Sequence, residues 1–89
     1  MSINQYLDED KKIKIWPSKK SVKIEILAYL AEKFDTDVYY TEKEVNEIVK
    51  YWHTFGDFFL LRRELIDKKF LSRTQDGAKY WKEERTTPE

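Results

Sequence analysis

The spacing of hydrophobic residues along the chain predicts three amphipathic helices. In residues 18–34, apolar side chains recur three and four positions apart and fall on one face, with Ile26 at the edge of that face. The second helix runs to about Trp52, and the third runs from Phe58 to about Lys68. The predicted core positions are Ile24, Leu27, Leu30, Ala31 and Phe34 in the first helix, Val45, Ile48, Val49 and Trp52 in the second, and Phe58, Leu61 and Leu65 in the third.

Polar residues indicate where these helices begin. Thr41 and Glu44 have the spacing of a capping box, in which each side chain accepts a backbone N–H at the start of the second helix. Asp57 is the predicted N-cap of the third helix. Ser18 and Ser21 both suit the N-cap of the first helix, so its start stays open by one turn.

Short β-prone runs predict strands around the helices. Residues 13–16 alternate apolar and charged side chains, a pattern typical of a half-buried strand or of an extended lead-in, and Pro17 ends the run. Residues 38–40 predict a second short strand. Residues 70–73 and 78–82 predict a hairpin, because an Asp-Gly turn lies between them.

The order of these elements is strand, helix, strand, helix, helix, hairpin. A short turn between two helices, followed directly by a hairpin, is the plan of a winged helix. The predicted fold is therefore an α+β winged helix-turn-helix domain, with a C-terminal hairpin wing and a short N-terminal strand. In this plan the third helix is the recognition helix.

A chain of 89 residues is expected to form one domain. We assign that domain to residues 13–83. Residues 1–12 are mixed, end in the charged run 8–12, and are expected to be a polar leader that is frayed or loosely packed, while the polar residues 84–89 are expected to be a disordered tail.

Composition limits the classes of function. The chain has 17 Lys and Arg residues and 17 Asp and Glu residues, so no net charge attracts it to nucleic acid or to an anionic membrane. Because it has no Cys, thiolate chemistry and thiolate zinc sites are excluded. The first residues do not resemble a signal segment, and no apolar run approaches the ~20 residues of a membrane span. We expect a soluble, cytoplasmic protein without a membrane partner.

Catalytic motifs are not found in the sequence. His53 is the single histidine, and no nucleophile or orienting group lies at a recognisable spacing from it. Together with Asp57 it would form an incomplete metal site. No Gly-rich phosphate loop is present. We therefore expect a protein that is not an enzyme and has no cofactor, metal ion or small-molecule substrate.

Several runs of residues form one pattern that extends over about residues 15 to 82. These runs are Trp16-Pro17, Ile26 to Phe34, Tyr40 to Asn46, Leu61 to Asp67, Asp76-Gly77 and Tyr80-Trp81. The pattern resembles a prokaryotic family of domains of unknown function, which occur alone in hypothetical proteins and attached to helix-turn-helix transcriptional regulators. The family usually has Phe where this chain has Trp16. The resemblance implies a link to transcriptional regulation.

If the domain binds duplex DNA, its contacts would follow the winged-helix plan. The candidates are Arg63 on the third helix, Arg73 and Lys79 beside the wing tip, Thr54 in the preceding turn, and Lys19 and Lys20 in a lysine-rich cluster. The balance of charge on the helix opposes this hypothesis, because Glu64 and Asp67 share the outward face with Arg63. Arg62 is expected to be partly buried in an ion pair with an acidic residue of the first or second helix.

The alternative hypothesis is a protein-interaction or dimerisation module with the same fold and no DNA binding. Leu60 is predicted to face outward from the third helix, Phe59 lies at the margin, and Tyr29 lies on the far side of the first helix. Exposed apolar side chains that cluster in this way are typical of partner surfaces. The charge balance favours this hypothesis and the family resemblance favours DNA, so we rank the two nearly equal.

Overall fold

The computed structural model describes residues 3–83. A 3₁₀ turn, Asn4–Tyr6, precedes three helices and three strands. In chain order these elements are α1 (Lys20–Ala31), β1 (Tyr39–Tyr40), α2 (Glu42–Tyr51), α3 (Phe58–Asp67), β2 (Leu71–Arg73) and β3 (Tyr80–Lys82). From α1 onward, the order of elements predicted from the sequence is confirmed. The predicted tail, 84–89, and residues 1–2 lie outside the described residues.

The three strands form one antiparallel sheet in the order β1-β3-β2. Trp81 lies at its centre, opposite Tyr39 on one side and Ser72 on the other. The strand between α1 and α2 therefore joins the sheet through the second strand of the hairpin. Helices and sheet together make an α+β arrangement that is compatible with a winged helix. None of the helices within residues 3–83 is long and apolar enough to cross a membrane.

The start and the buried face of α1 differ from the prediction. The N-cap is Lys19, which makes no capping hydrogen bond with its side chain, so neither Ser18 nor Ser21 caps the helix. Ile26 is fully buried, whereas Ile24 is only partly buried. Val22, which was not a predicted core position, is also buried. The buried face of α1 is therefore rotated relative to the predicted face.

The starts of α2 and α3 confirm the predicted caps. The Glu44 backbone N–H donates to Thr41 Oγ1 at 3.1 Å, and the Thr41 N–H donates to Glu44 Oε1 at 2.9 Å. At the start of α3, Asp57 Oδ1 accepts the N–H of Leu60 at 3.1 Å. These local bonds satisfy N–H groups that have no partner within the helix. The bonds of Thr41 and Glu44 fix where α2 begins, and the bond of Asp57 fixes where α3 begins.

The segment before α1 is packed onto the domain, so the expectation of a loosely packed leader is wrong for residues 3–12. Leu7 is buried in the core and pairs with Ile13 across a tight bend. The Ile13 N–H donates to the Trp52 carbonyl at 2.8 Å, and the Ile13 carbonyl accepts the Thr54 N–H at 2.9 Å. Only Ile13 makes bridges in the 13–16 run, so the run is an extended lead-in tied to the turn after α2.

The hairpin turn is longer than the sequence indicates. The Gly77 N–H donates to the Thr74 carbonyl at 2.9 Å, and the Thr74 N–H donates to the Lys79 carbonyl at 2.9 Å. Gly77 has φ +76°, a left-handed conformation that glycine adopts without strain. Because the turn extends to Lys79, β3 begins at Tyr80 and not at the predicted Ala78.

Candidate nucleic-acid interface

A charged groove of about 420 Å³ lies between α3, the start of α2 and the hairpin. It brings together Arg63 and Arg73, two of the predicted nucleic-acid contacts, and Phe59, one of the predicted protein contacts. Residues from α2, α3, β2 and β3 line it, namely Glu42, Phe59, Arg62, Arg63, Ile66, Asp67, Arg73 and Tyr80. The predicted recognition helix and wing therefore share one concave surface.

Arg62 forms the floor of this groove and is held by two partners on α2. Its Nη1 atom donates to Asn46 Oδ1 at 2.6 Å and lies 3.3 Å from Glu42 Oε2. The Arg62 side chain is 14% exposed. The expected partly buried ion pair is confirmed, and of the two helices that could supply its acidic partner it is the second that does. Because both partners are on α2, this guanidinium fixes the position of α3 relative to α2.

Tyr80 links the same carboxylate to the hairpin. Its hydroxyl lies 3.3 Å from Glu42 Oε1 and donates to it. Burial raises the pKa of the Tyr80 phenol, and the negative charge of Glu42 raises it further. The phenol therefore stays protonated and able to donate near neutral pH. Glu42 thus bridges Arg62 of α3 and Tyr80 of β3, and the groove has a fixed floor.

The walls of the groove are more exposed than its floor. Arg63 on α3 and Arg73 on β2 are both exposed. Phe59 is 52% exposed, and its ring lies beneath two guanidinium groups, with Arg62 Cζ at 5.1 Å and Arg63 Cζ at 5.7 Å from the ring centroid. Such contacts are attractive because the face of an aromatic ring is electron-rich. This wall therefore places one exposed aromatic ring beside positively charged groups.

The pairing of the acidic side chains changes the charge balance expected from the sequence. Glu42 pairs with Arg62, and Glu64 Oε1 lies 3.8 Å from Lys68 Nζ. Three arginines and two carboxylates line the groove, which gives it a formal charge of +1. Asp67 is the acidic residue of that lining besides Glu42. From the sequence, the outward face of this helix was expected to carry two carboxylates, Glu64 and Asp67, against the one guanidinium of Arg63.

The other predicted nucleic-acid contacts lie outside the groove. Lys79 Nζ lies 5.2 Å from the centroid of the Tyr39 ring, on the β1 side of the sheet. Lys19 and Lys20 are exposed at the start of α1. Thr54 lines a separate depression, before the first turn of α3.

The depression beside Thr54 contains a basic residue that was not among the predicted contacts. Lys50 lines it, and its Nζ atom lies 4.6 Å from the centroid of the Phe58 ring. The first turn of α3 is thus flanked by Lys50 on the Phe58 side and by arginines on the Phe59 side. The sequence could not predict that Lys50 and Phe58 are in contact, because a turn separates them and the periodicity of one helix does not extend across it.

Two of the three predicted protein-contact residues are less available than expected. Tyr29 is half-buried, its hydroxyl donates to the Lys11 carbonyl at 2.5 Å, and its ring packs edge-on against Trp52 at 6.5 Å. Leu60 is also half-buried, although the helical phase predicts that it faces outward. Phe59, which was placed at the margin, is the more exposed of the two neighbours. Tyr29 therefore holds the N-terminal segment onto α1.

Within residues 3–83, no three His, Asp or Glu side chains are grouped so that they could hold a metal ion. His53 is buried, and both of its ring nitrogens face backbone groups. Its surroundings are those of a histidine that joins two helices.

The fold and the groove define a small α+β domain with three helices, a three-stranded sheet, and a basic surface shared by α3 and the hairpin. The chain belongs to the family described as uncharacterized protein conserved in bacteria (DUF2087), whose profile matches residues 12–82. The resemblance drawn from the sequence is thereby confirmed at the level of the family. Comparison with curated proteins and with solved structures returned no significant match.

Proposed function

We propose that this domain is a winged-helix module that binds duplex DNA through α3 and the β2–β3 hairpin. The order of elements supports the proposal, because α2, a capped turn and α3 lead directly into the hairpin. The sheet order β1-β3-β2 also supports it, because the strand before α2 pairs with the second strand of the hairpin. The family resemblance adds an association with bacterial transcriptional regulation, and the proposed site of action is the cytoplasm.

One observation carries the proposal. Arg63 from α3 and Arg73 from β2 line the same groove, although ten positions separate them in the sequence. Guanidinium groups bind phosphate oxygens through paired N–H donors. With α3 in the major groove, Arg63 would contact one phosphate and Arg73 a neighbouring phosphate. Phosphate contacts of this kind set the position of a protein on the duplex.

The remaining predicted contacts have supporting roles in this proposal. Lys50 and Thr54 lie at the start of α3, where the turn approaches the sugar-phosphate backbone in a helix-turn-helix module. Lys79 extends the wing, and Lys19 and Lys20 supply positive charge at the start of α1. Because the chain has no net charge, affinity must come from this local arrangement and not from a general attraction.

The test is a set of charge reversals measured by fluorescence anisotropy with a mixed-sequence duplex. Arg63→Glu and Arg73→Glu should each weaken binding by about tenfold or more at low salt, because a carboxylate replaces a phosphate contact. Arg63→Gln removes the positive charge without adding a negative one. It should reduce the magnitude of the slope of log affinity against log salt by about 1, because one phosphate contact is lost.

Lys33→Glu is the matched control, since it makes the same change of charge outside the groove. Lys33 Nζ lies 4.3 Å and 4.2 Å from the ring centroids of Tyr29 and Trp52. This variant should bind DNA within about twofold of the wild type. An equal loss in Lys33→Glu and Arg63→Glu would show a general charge effect and would contradict the proposed surface.

The second candidate function is self-association through β1, the edge strand of the sheet. Val38 and Tyr39 are 37% and 66% exposed, beside a depression of about 630 Å³ between β1 and α2. Exposed aromatic side chains on a strand edge are typical of protein interfaces. This candidate requires that the wild type sediments as a dimer and that Tyr39→Asp sediments as a monomer. A wild type that is monomeric at high concentration would remove it.

A further inference from the structure

Phe59 is an exposed aromatic residue on the helix surface that the proposed function assigns to DNA. Its neighbour Phe58 packs against the core, whereas Phe59 is 52% exposed in the first turn of α3. Arg63 lies four positions later and therefore shares its face of the helix. About half of the Phe59 surface is therefore left uncovered by the rest of the domain.

The ring is held in place by its neighbours. Arg62 Cζ lies 5.1 Å from the ring centroid, and Arg62 itself is fixed by Asn46 and Glu42. Arg63 Cζ lies 5.7 Å from the same centroid. A side chain that is already ordered loses less conformational entropy when it contacts a ligand. Phe59 is therefore prepared to make one apolar contact beside two positive charges.

The chemistry of the DNA major groove identifies the group that such a ring would contact. A phenyl ring has no hydrogen-bond donor or acceptor, so it cannot distinguish bases by their polar edges. The C5-methyl group of thymine is the apolar group that the four standard base pairs present in the major groove. Stacking on an unpaired base is a contact with single-stranded nucleic acid, whereas the bases of the duplex that the proposed function places along α3 are already paired and stacked.

We propose that Phe59 contacts the C5-methyl group of thymine in the major groove, while Arg63 and Arg73 hold the adjacent phosphates. This inference rests on the proposed function, because it requires duplex DNA along α3. It assigns to Phe59 a role in sequence preference that phosphate contacts cannot supply. The domain would favour thymine, or 5-methylcytosine, at the base pair beneath Phe59.

The experiment compares duplexes that differ only in the methyl group. An alternating A·T DNA duplex is measured against the same DNA duplex with deoxyuridine in place of every thymidine. Binding is measured by anisotropy at low salt. A second pair consists of alternating G·C duplexes with and without 5-methylcytosine. Wild-type protein should bind the methylated member of each pair about fourfold more tightly, which is the factor expected from burial of one methyl-sized group.

Two variants separate the role of Phe59 from that of the fold. Phe59→Ala should bind both members of each pair equally, and Phe59→Leu should keep part of the preference. A melting curve checks that each variant is folded. Equal binding of methylated and unmethylated duplexes by the wild type would overturn the inference while leaving DNA binding intact. Preference retained by Phe59→Ala would also overturn it, and no binding to any duplex would overturn both proposals.

Discussion

The imidazole of His53 joins α2 to α3 through the backbone N–H of Asp57. Nε2 of His53 accepts that N–H at 3.0 Å, and Nδ1 lies 2.6 Å from the Val49 carbonyl oxygen. A backbone N–H can only donate and a carbonyl can only accept, so the neutral ring with its proton on Nδ1 satisfies both groups. His53 is 6% exposed, and it fixes the turn that places α3.

Replacing this ring should destabilise the domain. His53→Ala leaves the Asp57 N–H and the Val49 carbonyl without their side-chain partner, and it opens space at the helix junction. We expect a loss of about 1–3 kcal/mol in the free energy of unfolding, measured by urea denaturation. The control is Thr54→Ala, because Thr54 is the exposed neighbour in the same turn. A loss in His53→Ala no larger than that of the control would contradict this assignment.

The Arg62–Glu42 pair should contribute to stability by an amount that its partial exposure limits. Glu42 keeps half of its side-chain surface exposed, so water can solvate its carboxylate when Arg62 is removed. Arg62→Ala should cost about 1–2 kcal/mol, because the hydrogen bond to Asn46 is also lost.

A double-mutant cycle with Glu42→Gln isolates the pair. The cycle should return a coupling free energy of about 0.5–1 kcal/mol in urea unfolding. A coupling of zero, with the two single losses simply additive, would show that the contact between Arg62 and Glu42 does not contribute to stability.

Asp76 should make the stability of the hairpin depend on pH in the acidic range. The Thr74 hydroxyl donates to its carboxylate at 2.7 Å and the Ala78 N–H donates at 3.0 Å, and these bonds lower the pKa of Asp76. A carboxyl whose pKa is lower in the folded state stabilises that state above its unfolded pKa. This contribution is lost as the pH falls through the folded pKa.

The measurement is the difference in unfolding free energy between the wild type and Asp76→Ala across the acidic range. The difference should be constant above about pH 5 and should shrink towards about pH 2. An NMR titration of the Asp76 carboxyl carbon should give a midpoint below the ordinary Asp pKa of about 3.9. A midpoint at or above that value would contradict the assigned hydrogen bonds.

Local signals in the sequence predicted the parts of the fold whose partners are close in the chain. Both members of the capping box, Thr41 and Glu44, lie within one helical turn, and so do Asp57 and the N–H it accepts. The hairpin was predicted for the same reason. In each case a short stretch of sequence contains the whole interaction.

Features that depend on distant partners could not be predicted in this way. Nothing in the sequence connects Glu42 to Tyr80, 38 positions later. Leu7 directly precedes a charged run, and its burial depends on Ile13 and on the turn after α2. Periodicity gives no signal for such contacts.

The candidate site was predicted in part. The winged-helix plan selected Arg63 and Arg73, and the structure places both on one groove. Leu60 was predicted to be more exposed than Phe59 and the reverse is found, because a helical wheel describes one helix and not where the neighbouring elements pack on it. The same limitation explains why Tyr29 was expected to be exposed, although the N-terminal segment packs against it.

The most direct test of DNA binding through α3 and the hairpin is an amide-shift titration of isotopically labelled protein. Mixed-sequence duplex is added at about 50 mM salt, and the titration is repeated at about 200 mM. The proposal predicts salt-sensitive shifts concentrated in α3 and the hairpin, with Arg63 and Arg73 among the residues affected. No shifts at low salt, or shifts confined to residues outside α3 and the hairpin, would contradict it.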